Sequence, residues 1–343
     1  MTNRRVCLIP GDGVGQEVIP AAARVLAALG LGLDFVEAPA GFEHFSRFGD
    51  SIPGRTLAEV EACGVALFGA TSSPSTRVDG YRSPILVLRK TFDLYANLRP
   101  VLSLPGPFSR SNIDLLIVRE NTEGLYIGKE RMDGDTAIAE RWISRGGSQR
   151  IARVAFEQAR QRAARRKQID PASRRTSVTI VHKANVLKVT DGLFRQTCLE
   201  LAEDYPEIAC GELLVDAMAM RLVRDPERFD VILTTNLFGD ILSDEASALV
   251  GGLGVAPSAN LGQQVAVFEP VHGSAPDIAG KGVSNPIGAI LSAAMLLDHI
   301  GERTAALRVQ AAVRQTISEG ILTQDLGGKS GTDEVTRAVL CNL

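Results

Sequence analysis

Cysteine and aromatic residues are scarce in this chain, and neither sign of charge is in marked excess. Of 343 residues, five are cysteine, one is tryptophan and 5% are Phe, Trp or Tyr. Cys7, Cys63, Cys198, Cys210 and Cys341 are odd in number, scattered and form no CxxC. That pattern argues against a disulfide framework and fits free thiols in a reducing cytosol. With 37 Lys and Arg against 40 Asp and Glu, nothing marks a nucleic-acid or membrane-surface binder. No apolar run is long enough to span a bilayer, and "MTNRRVCLIPGDG" lacks the apolar core of a signal peptide, so the expected location is cytoplasmic. The one basic run, "RQRAARRKQ" from Arg160, reads as the solvated face of a helix.

What is present is alternation. "RVCLIP", "GLDFVEA", "GVALFGA", "DLLIVRE", "VTIVHKA" and "FDVILTTN" read as buried strands. Between them "EVIPAAARVLAAL", "SQRIARVAFEQARQRAARR" and "DGLFRQTCLELAEDY" carry helical periodicity. The pattern predicts an α/β fold around largely parallel sheet. "NPIGAILSAAMLLDHIG" is apolar nearly all round and predicts a buried helix, a candidate for a subunit interface. "YIGKERMDGDTAIAERWISRGG" breaks the alternation and suggests an extended excursion that clasps a partner subunit. Pro-containing stretches at "RPVLSLPGPFS" and "GGLGVAPSANLG" are candidate crossings between two lobes. The expected lobes are 1–100 plus 255–343, and 101–254.

Several residues are chemically conspicuous. "IPGDGVGQE" lies between a strand and a helix, with Asp34 and Glu37 roughly 20 residues on, as in a dinucleotide fingerprint. Yet Gly11, Gly13 and Gly15 spell GxGxG rather than GxGxxG, and chain reversal alone accounts for them as well. Arg89, Arg99 and Arg119 recur in "VLRKTFDLYANLRPVL" and "LLIVRENTEGLY". Arg99 and Arg119 adjoin apolar runs where an unpaired guanidinium is costly. Each can grip a carboxylate with two hydrogen bonds, so together they suggest a small polyanionic substrate; ion pairs with nearby acids are the plainer reading.

Lys183 and Asn185 leave the end of an apolar strand, where α/β folds place ligands. A partly desolvated lysine there is suited to accept a proton. His182, on the other face, reads as a packed structural histidine. Tyr126 is a candidate proton donor or a core residue. Asp216 in "LLVDAMAM" is expected to end another apolar strand. Asp240 and Asp244 sit one helical turn apart in "TTNLFGDILSDEASALVGGLG". Three carboxylates without cysteine or spaced histidine suit Mg²⁺ or Mn²⁺. From spacing alone, helix capping is the favoured reading, with Asp240 as N-cap after Gly239 and Asp244 in or near the first turn. Finally, "FEPVHGSAPDIAGKGVSNP" is a long aperiodic loop of the kind that is usually functional. Within it Asp277 is placed to accept hydrogen bonds from a ribose diol and to repel a 2′-phosphate.

Taken in order, "IPGDGVGQEV", "YANLRP", "VRENTEGLY", "HKANVL", "TTNLFGDILSD" and "EPVHGSAPDIAGKG" resemble the β-decarboxylating dehydrogenases nearly end to end. That family includes isocitrate, 3-isopropylmalate, homoisocitrate and tartrate/malate dehydrogenases. The resemblance implies a two-lobed isocitrate/isopropylmalate dehydrogenase-like α/β fold without the GxGxxG fingerprint, in a homo-oligomer, dimer or tetramer, with shared active sites. It implies a large cofactor domain from the chain ends and a small domain carrying the dimer interface and clasp. Arg89, Arg99 and Arg119 then match the substrate-binding arginines, with Ser73, Tyr126, Lys183 and Asn185 also at the substrate. Tyr126 and Lys183 match the acid/base pair, Lys183 reaching the neighbouring subunit's site. Asp240 and Asp244, with Asp216 from the other subunit, match the Mg²⁺ or Mn²⁺ ligands. Thr71, Asn185, His272, Gly273, Ser274, Ala275, Pro276, Asp277 and Asn285 match cofactor contacts, and Asp277-Ile278 looks like the NAD form.

The implied reaction is oxidative decarboxylation of a 2-hydroxy acid bearing a 3-carboxylate. "RENTEG", "GYRSPILVLRK" and "DLGGKSGT" are most similar to homoisocitrate enzymes, which form 2-oxoadipate in lysine biosynthesis. Bacterial members often carry arginine at the position of Leu86. The apolar pair Ile85 and Leu86 suits an isopropyl group instead, unless Arg82 supplies the cation. 3-Isopropylmalate and isocitrate are therefore the alternative substrates, and a non-catalytic regulatory subunit is the alternative of another class.

Overall fold

The structure is a computed structural model describing residues 4–74, 76, 78–172 and 176–343. It comprises two compact units. One holds Met1–Leu94, Leu104–Ser111 and Ser247–Leu343; the other holds Tyr95–Ser103 and Asn112–Ala246. The chain passes between units a few residues upstream of the boundaries expected from composition, and 104–111 returns to the first unit. The second passage falls inside a helix, which carries no compositional mark.

The first unit begins with β1 (Arg5–Gly11), α1 (Gly15–Ala28), β2 (Asp34–Glu37), α2 (Phe42–Phe48), α3 (Gly54–Cys63), β3 (Val65–Ala70) and α4 (Pro84–Thr91). In the second unit lie β4 (Ala96–Leu102), β5 (Asp114–Glu120), the hairpin β6 (Glu130–Asp133) and β7 (Thr136–Ala139), and α5 (Arg145–Ile169). These are followed by β8 (Ser177–His182), α6 (Thr190–Ala202), β9 (Ala209–Leu214), α7 (Val215–Arg224), β10 (Val231–Thr234) and α8 (Asn236–Ala248). The first unit is completed by β11 (Pro257–Leu261), β12 (Ala266–Pro270), α9 (Ile287–His299), α10 (Arg303–Ser318) and α11 (Thr332–Cys341).

Strands of the first unit are ordered β2-β1-β3-β12-β11, parallel except for β11 against β12. Those of the second are ordered β4-β5-β10-β8-β9, parallel except for β4 against β5. All six runs expected to be strands are strands. β3, "VALFGA", is buried at every position, as a strand covered on both faces must be.

α9 is buried as expected, with Ile287, Ile290, Leu296 and Leu297 fully enclosed. It packs on α1, α10, β11 and β12 of its own unit. Each such side chain contributes about 1.5–3 kcal/mol. The basic run on α5 departs from expectation. Arg162 and Arg166 point inward and clamp Asp114 and the fully buried Asp230 at 2.7–2.8 Å. The five cysteines are unbridged, and Cys7, Cys63 and Cys198 are buried. Among the described residues, no helix is long and apolar enough to cross a membrane.

Candidate active site

At the C-terminal ends of β1 and β3 the first unit gathers the "GDGVG" turn, Thr71–Ser73 and the loop after β12. Gly11 and Gly13 have φ of +76° and +57°, and the turn is packed too tightly for side chains. A Cβ on Gly11 would stand 2.0 Å from the Ala70 carbonyl oxygen, and one on Gly13 2.1 Å from that of Ser274. Val14 N–H donates to the same Ser274 oxygen at 2.9 Å. The glycines thus seat one loop on another.

Asp12, 1% exposed, was not singled out from sequence, yet it organises this platform. Its carboxylate accepts from the N–H groups of Phe42 and Glu43, at the start of α2, and of Ser72, at 2.7–3.0 Å. Ser72 in turn hydrogen-bonds the Ser274 hydroxyl at 2.9 Å. Ala275 adopts φ +38°, strained for a residue with a Cβ and of the kind found at ligand sites. His272 Nε2 is buried without a hydrogen-bond partner, and burial lowers the pKa of the ring. Gly273 has open space where a Cβ would stand. An orphaned donor-acceptor beside a bare backbone fits a dinucleotide lying on this loop. Asp277 is exposed, whereas Asn285 is tied to Asp325 at 2.9 Å.

Arg89 also belongs to the first unit. Its guanidinium donates to Asn260 and Glu269 at 3.2 Å each. Glu269, in β12, is a buried partner that the sequence reading missed.

In the second unit a denser cluster forms where side chains of β4, β5 and α8 meet. Arg119, 1% exposed, donates twice to Asn236 Oδ1, at 3.1 and 2.7 Å, and pairs with Asp240. Arg99 is held by Asn97 at 2.9 Å and donates to Ser243 at 2.7 Å. It reaches Asp244 at 3.1 Å and Asp240 at 3.3 Å. Tyr126, in a short 3₁₀ turn after β5, donates its hydroxyl to Asp240 Oδ2. Gly239 permits this packing, since a Cβ there would stand 2.7 Å from the Arg119 side chain.

The capping reading of the aspartate pair is overturned. α8 starts at Asn236 and has no acidic residue in its first turn, so Asp240 lies a turn inside the helix. What offsets the Asp240–Asp244 repulsion is the pair of guanidinia. Burial nevertheless raises the Asp244 pKa, opposed by Arg99 and aided by the charge of Asp240. The Tyr126 pKa is also raised, first by burial and then by its bond to Asp240, so the phenol keeps its proton.

Lys183 and Asp216 form a separate pair, Nζ to Oδ1 2.5 Å. Asp216 lies in the first turn of α7 rather than at the end of a strand, and its side chain is 64% exposed. Lys183 lowers its pKa. Asn185 is exposed just beyond the lysine. His182 is structural as expected, buried with Nε2 3.5 Å from Glu212. Among the described residues, no group of three or more His, Cys, Asp or Glu is placed to hold a metal within one chain. Asp240 and Asp244 supply two hard oxygen donors, the chemistry of Mg²⁺ or Mn²⁺, and so fit part of such a site.

Comparison with known proteins agrees. The pattern of the isocitrate/isopropylmalate dehydrogenase family matches residues 5–339. The chain is 54% identical to an isocitrate/homoisocitrate dehydrogenase of Thermus thermophilus, across 98% of this chain and 97% of that one. It is 45% identical to a 3-isopropylmalate dehydrogenase of Methanothermobacter thermautotrophicus, across 100% and 99%. Its fold superposes on isocitrate dehydrogenase from Methylococcus capsulatus with TM-score 0.92, at 43% identity and 98% coverage of both chains. The chain belongs to the isocitrate/isopropylmalate dehydrogenase family and is an oxidatively decarboxylating dehydrogenase.

Proposed function

We propose that the protein oxidises and decarboxylates homoisocitrate to 2-oxoadipate and CO₂, with NAD⁺ as hydride acceptor and Mg²⁺ or Mn²⁺ as the metal. The observation that carries this reading is the convergence of Arg99, Arg119 and Tyr126 on the Asp240–Asp244 pair. Arg89, Arg99 and Arg119 bind the substrate carboxylates, with Ser73 and Asn185 as further contacts. Asp240 and Asp244 hold the cation together with Asp216 from a second copy of the chain. The exposure of the Asp216 side chain, and the absence among the described residues of a third carboxylate grouped with Asp240 and Asp244, support such sharing in a homo-oligomer.

In this mechanism Lys183 accepts the proton of the substrate's 2-hydroxyl. The bound cation supplies Lewis-acid stabilisation of negative charge on the substrate's oxygens. The nicotinamide supplies the hydride acceptor. Oxidation leaves a ketone β to a carboxylate, which is lost as CO₂ to give an enolate. Tyr126, kept protonated by burial and Asp240, donates a proton to the enolate carbon. Thr71, His272–Asp277, Asn185 and Asn285 hold the cofactor, and the Asp277 charge selects NAD over NADP.

3-Isopropylmalate is the second reading, favoured by the 45% identical relative of that name and by the exposed Leu86. The deciding experiment measures kcat/KM for homoisocitrate, 3-isopropylmalate and isocitrate with Mg²⁺ and NAD⁺, then NADP⁺. A clear preference for 3-isopropylmalate overturns the substrate assignment.

A further inference from the structure

Asp191, in the first turn of α6, is fully buried and plays no part in the chemistry above. Both of its oxygens are committed. Oδ2 accepts from the backbone N–H of Lys183 at 2.6 Å, and Oδ1 pairs with the guanidinium of Arg141. Lys183 has just left β8, so its N–H has no sheet partner and depends on this carboxylate.

Arg141 is itself held on several sides. Its side chain is 13% exposed. It donates to Thr235 Oγ1 at 3.1 Å and lies over the Phe238 ring, 5.1 Å from the centroid. It stands on the returning arm of the β6–β7 hairpin, next to Trp142, whose backbone exchanges two hydrogen bonds with Gly124. β6 and β7 are otherwise almost wholly exposed. A buried cation at the root of an exposed hairpin is costly unless its partner is fixed, and that partner also anchors Lys183.

We propose that Asp191 is a positioning residue for Lys183, and that Arg141 orients its carboxylate, so that the hairpin root and the lysine backbone move as one body. The inference rests on Lys183 being the proton acceptor. A charge-assisted bond at 2.6 Å restricts the direction in which the lysine leaves the backbone. Misplacing a reacting group by about an ångström costs up to roughly 100-fold in turnover.

The test uses the full-length enzyme with Asp191→Asn, Arg141→Met, Arg141→Lys and Lys183→Met. Turnover, KM for the 2-hydroxy acid, thermal midpoint and the Lys183 amide proton resonance are measured. Asp191→Asn is isosteric and keeps an acceptor, so it should fold. It should lower kcat about 10- to 100-fold with KM within about threefold, and move the Lys183 amide upfield. Arg141→Met should do the same, and Arg141→Lys should recover most of the turnover. Wild-type kcat in Asp191→Asn with an unmoved amide overturns the inference. So does a loss confined to the thermal midpoint, which is the mark of a purely structural ion pair. If Arg141→Met does not fold, Asp191→Asn decides by the same criteria. Should Lys183→Met turn over like the wild type, the proton-acceptor role falls and the inference with it. If Lys183→Met is inactive while Asp191→Asn is normal, only the inference falls.

Discussion

The Tyr126 hydroxyl donates a hydrogen bond to Asp240, the carboxylate that also takes Arg119 and Arg99. One side chain therefore ties the proposed acid to the proposed metal ligand. Tyr126→Phe removes the proton donor and keeps the ring, whose centroid lies 5.1 Å from the Arg119 guanidinium. Steady-state NADH production should fall by roughly 10²–10³, while the substrate's dissociation constant, measured by calorimetry, changes little. Normal turnover would remove Tyr126 from the mechanism.

Asp240→Asn is a blunter test of the metal site than the spacing of the two aspartates suggests. Losing that charge takes an anion from Arg119, which is 1% exposed, and breaking a buried pair costs about 3–5 kcal/mol. The variant should lose turnover and thermal stability together, so only its metal titration is informative. A wild-type Mg²⁺ requirement would exclude Asp240 as a ligand.

Asp244→Asn separates the two effects. The Asp244 pKa is raised in the folded protein, chiefly by burial, so the native state holds this proton more tightly than the unfolded chain does. The associated stability is full below the ordinary carboxylate range and is lost as pH rises through the raised value. Without metal, Asp244→Asn should therefore melt higher than the wild type at neutral pH, with a shallower decline between acid and neutral pH. It should also need more Mg²⁺ for half-maximal activity. Thermal melts with and without Mg²⁺ across pH check both; a lower melting point in the absence of metal would contradict the sign.

Asp277→Lys tests the cofactor loop. Exchanging an exposed carboxylate for a cation removes the acceptor proposed for the ribose diol and attracts a 2′-phosphate. KM for NAD⁺ should rise about tenfold or more and that for NADP⁺ should fall. Unchanged cofactor preference would move the nucleotide away from this loop. Gly13→Ala does not discriminate here, because its Cβ would meet the Ser274 carbonyl oxygen at 2.1 Å and disturb the loop in either reading.

Much of the molecule could be read from one dimension. A run such as "VALFGA" is apolar throughout because parallel strands covered on both faces tolerate little else, so the α/β class and six strands were legible. Arg99, Arg119, Lys183 and the three aspartates stood out because a charge beside an apolar run must find a partner. The ordered motifs identified the family.

Tertiary structure alone decided which charges meet. Glu269 and Arg89, Asp12 and Ser72, and Asp191 and the Lys183 backbone are joined by strand order and loop packing, which leave no local periodicity. The start of α8 at Asn236 decided against capping because Arg119 occupies the Asn236 side chain and fills the space left by Gly239. The "GDGVG" glycines looked like part of a dinucleotide fingerprint, yet they are small because the end of β3 and the Ser274 loop press on them. A sequence records that a residue must be small or charged; only the fold says against what.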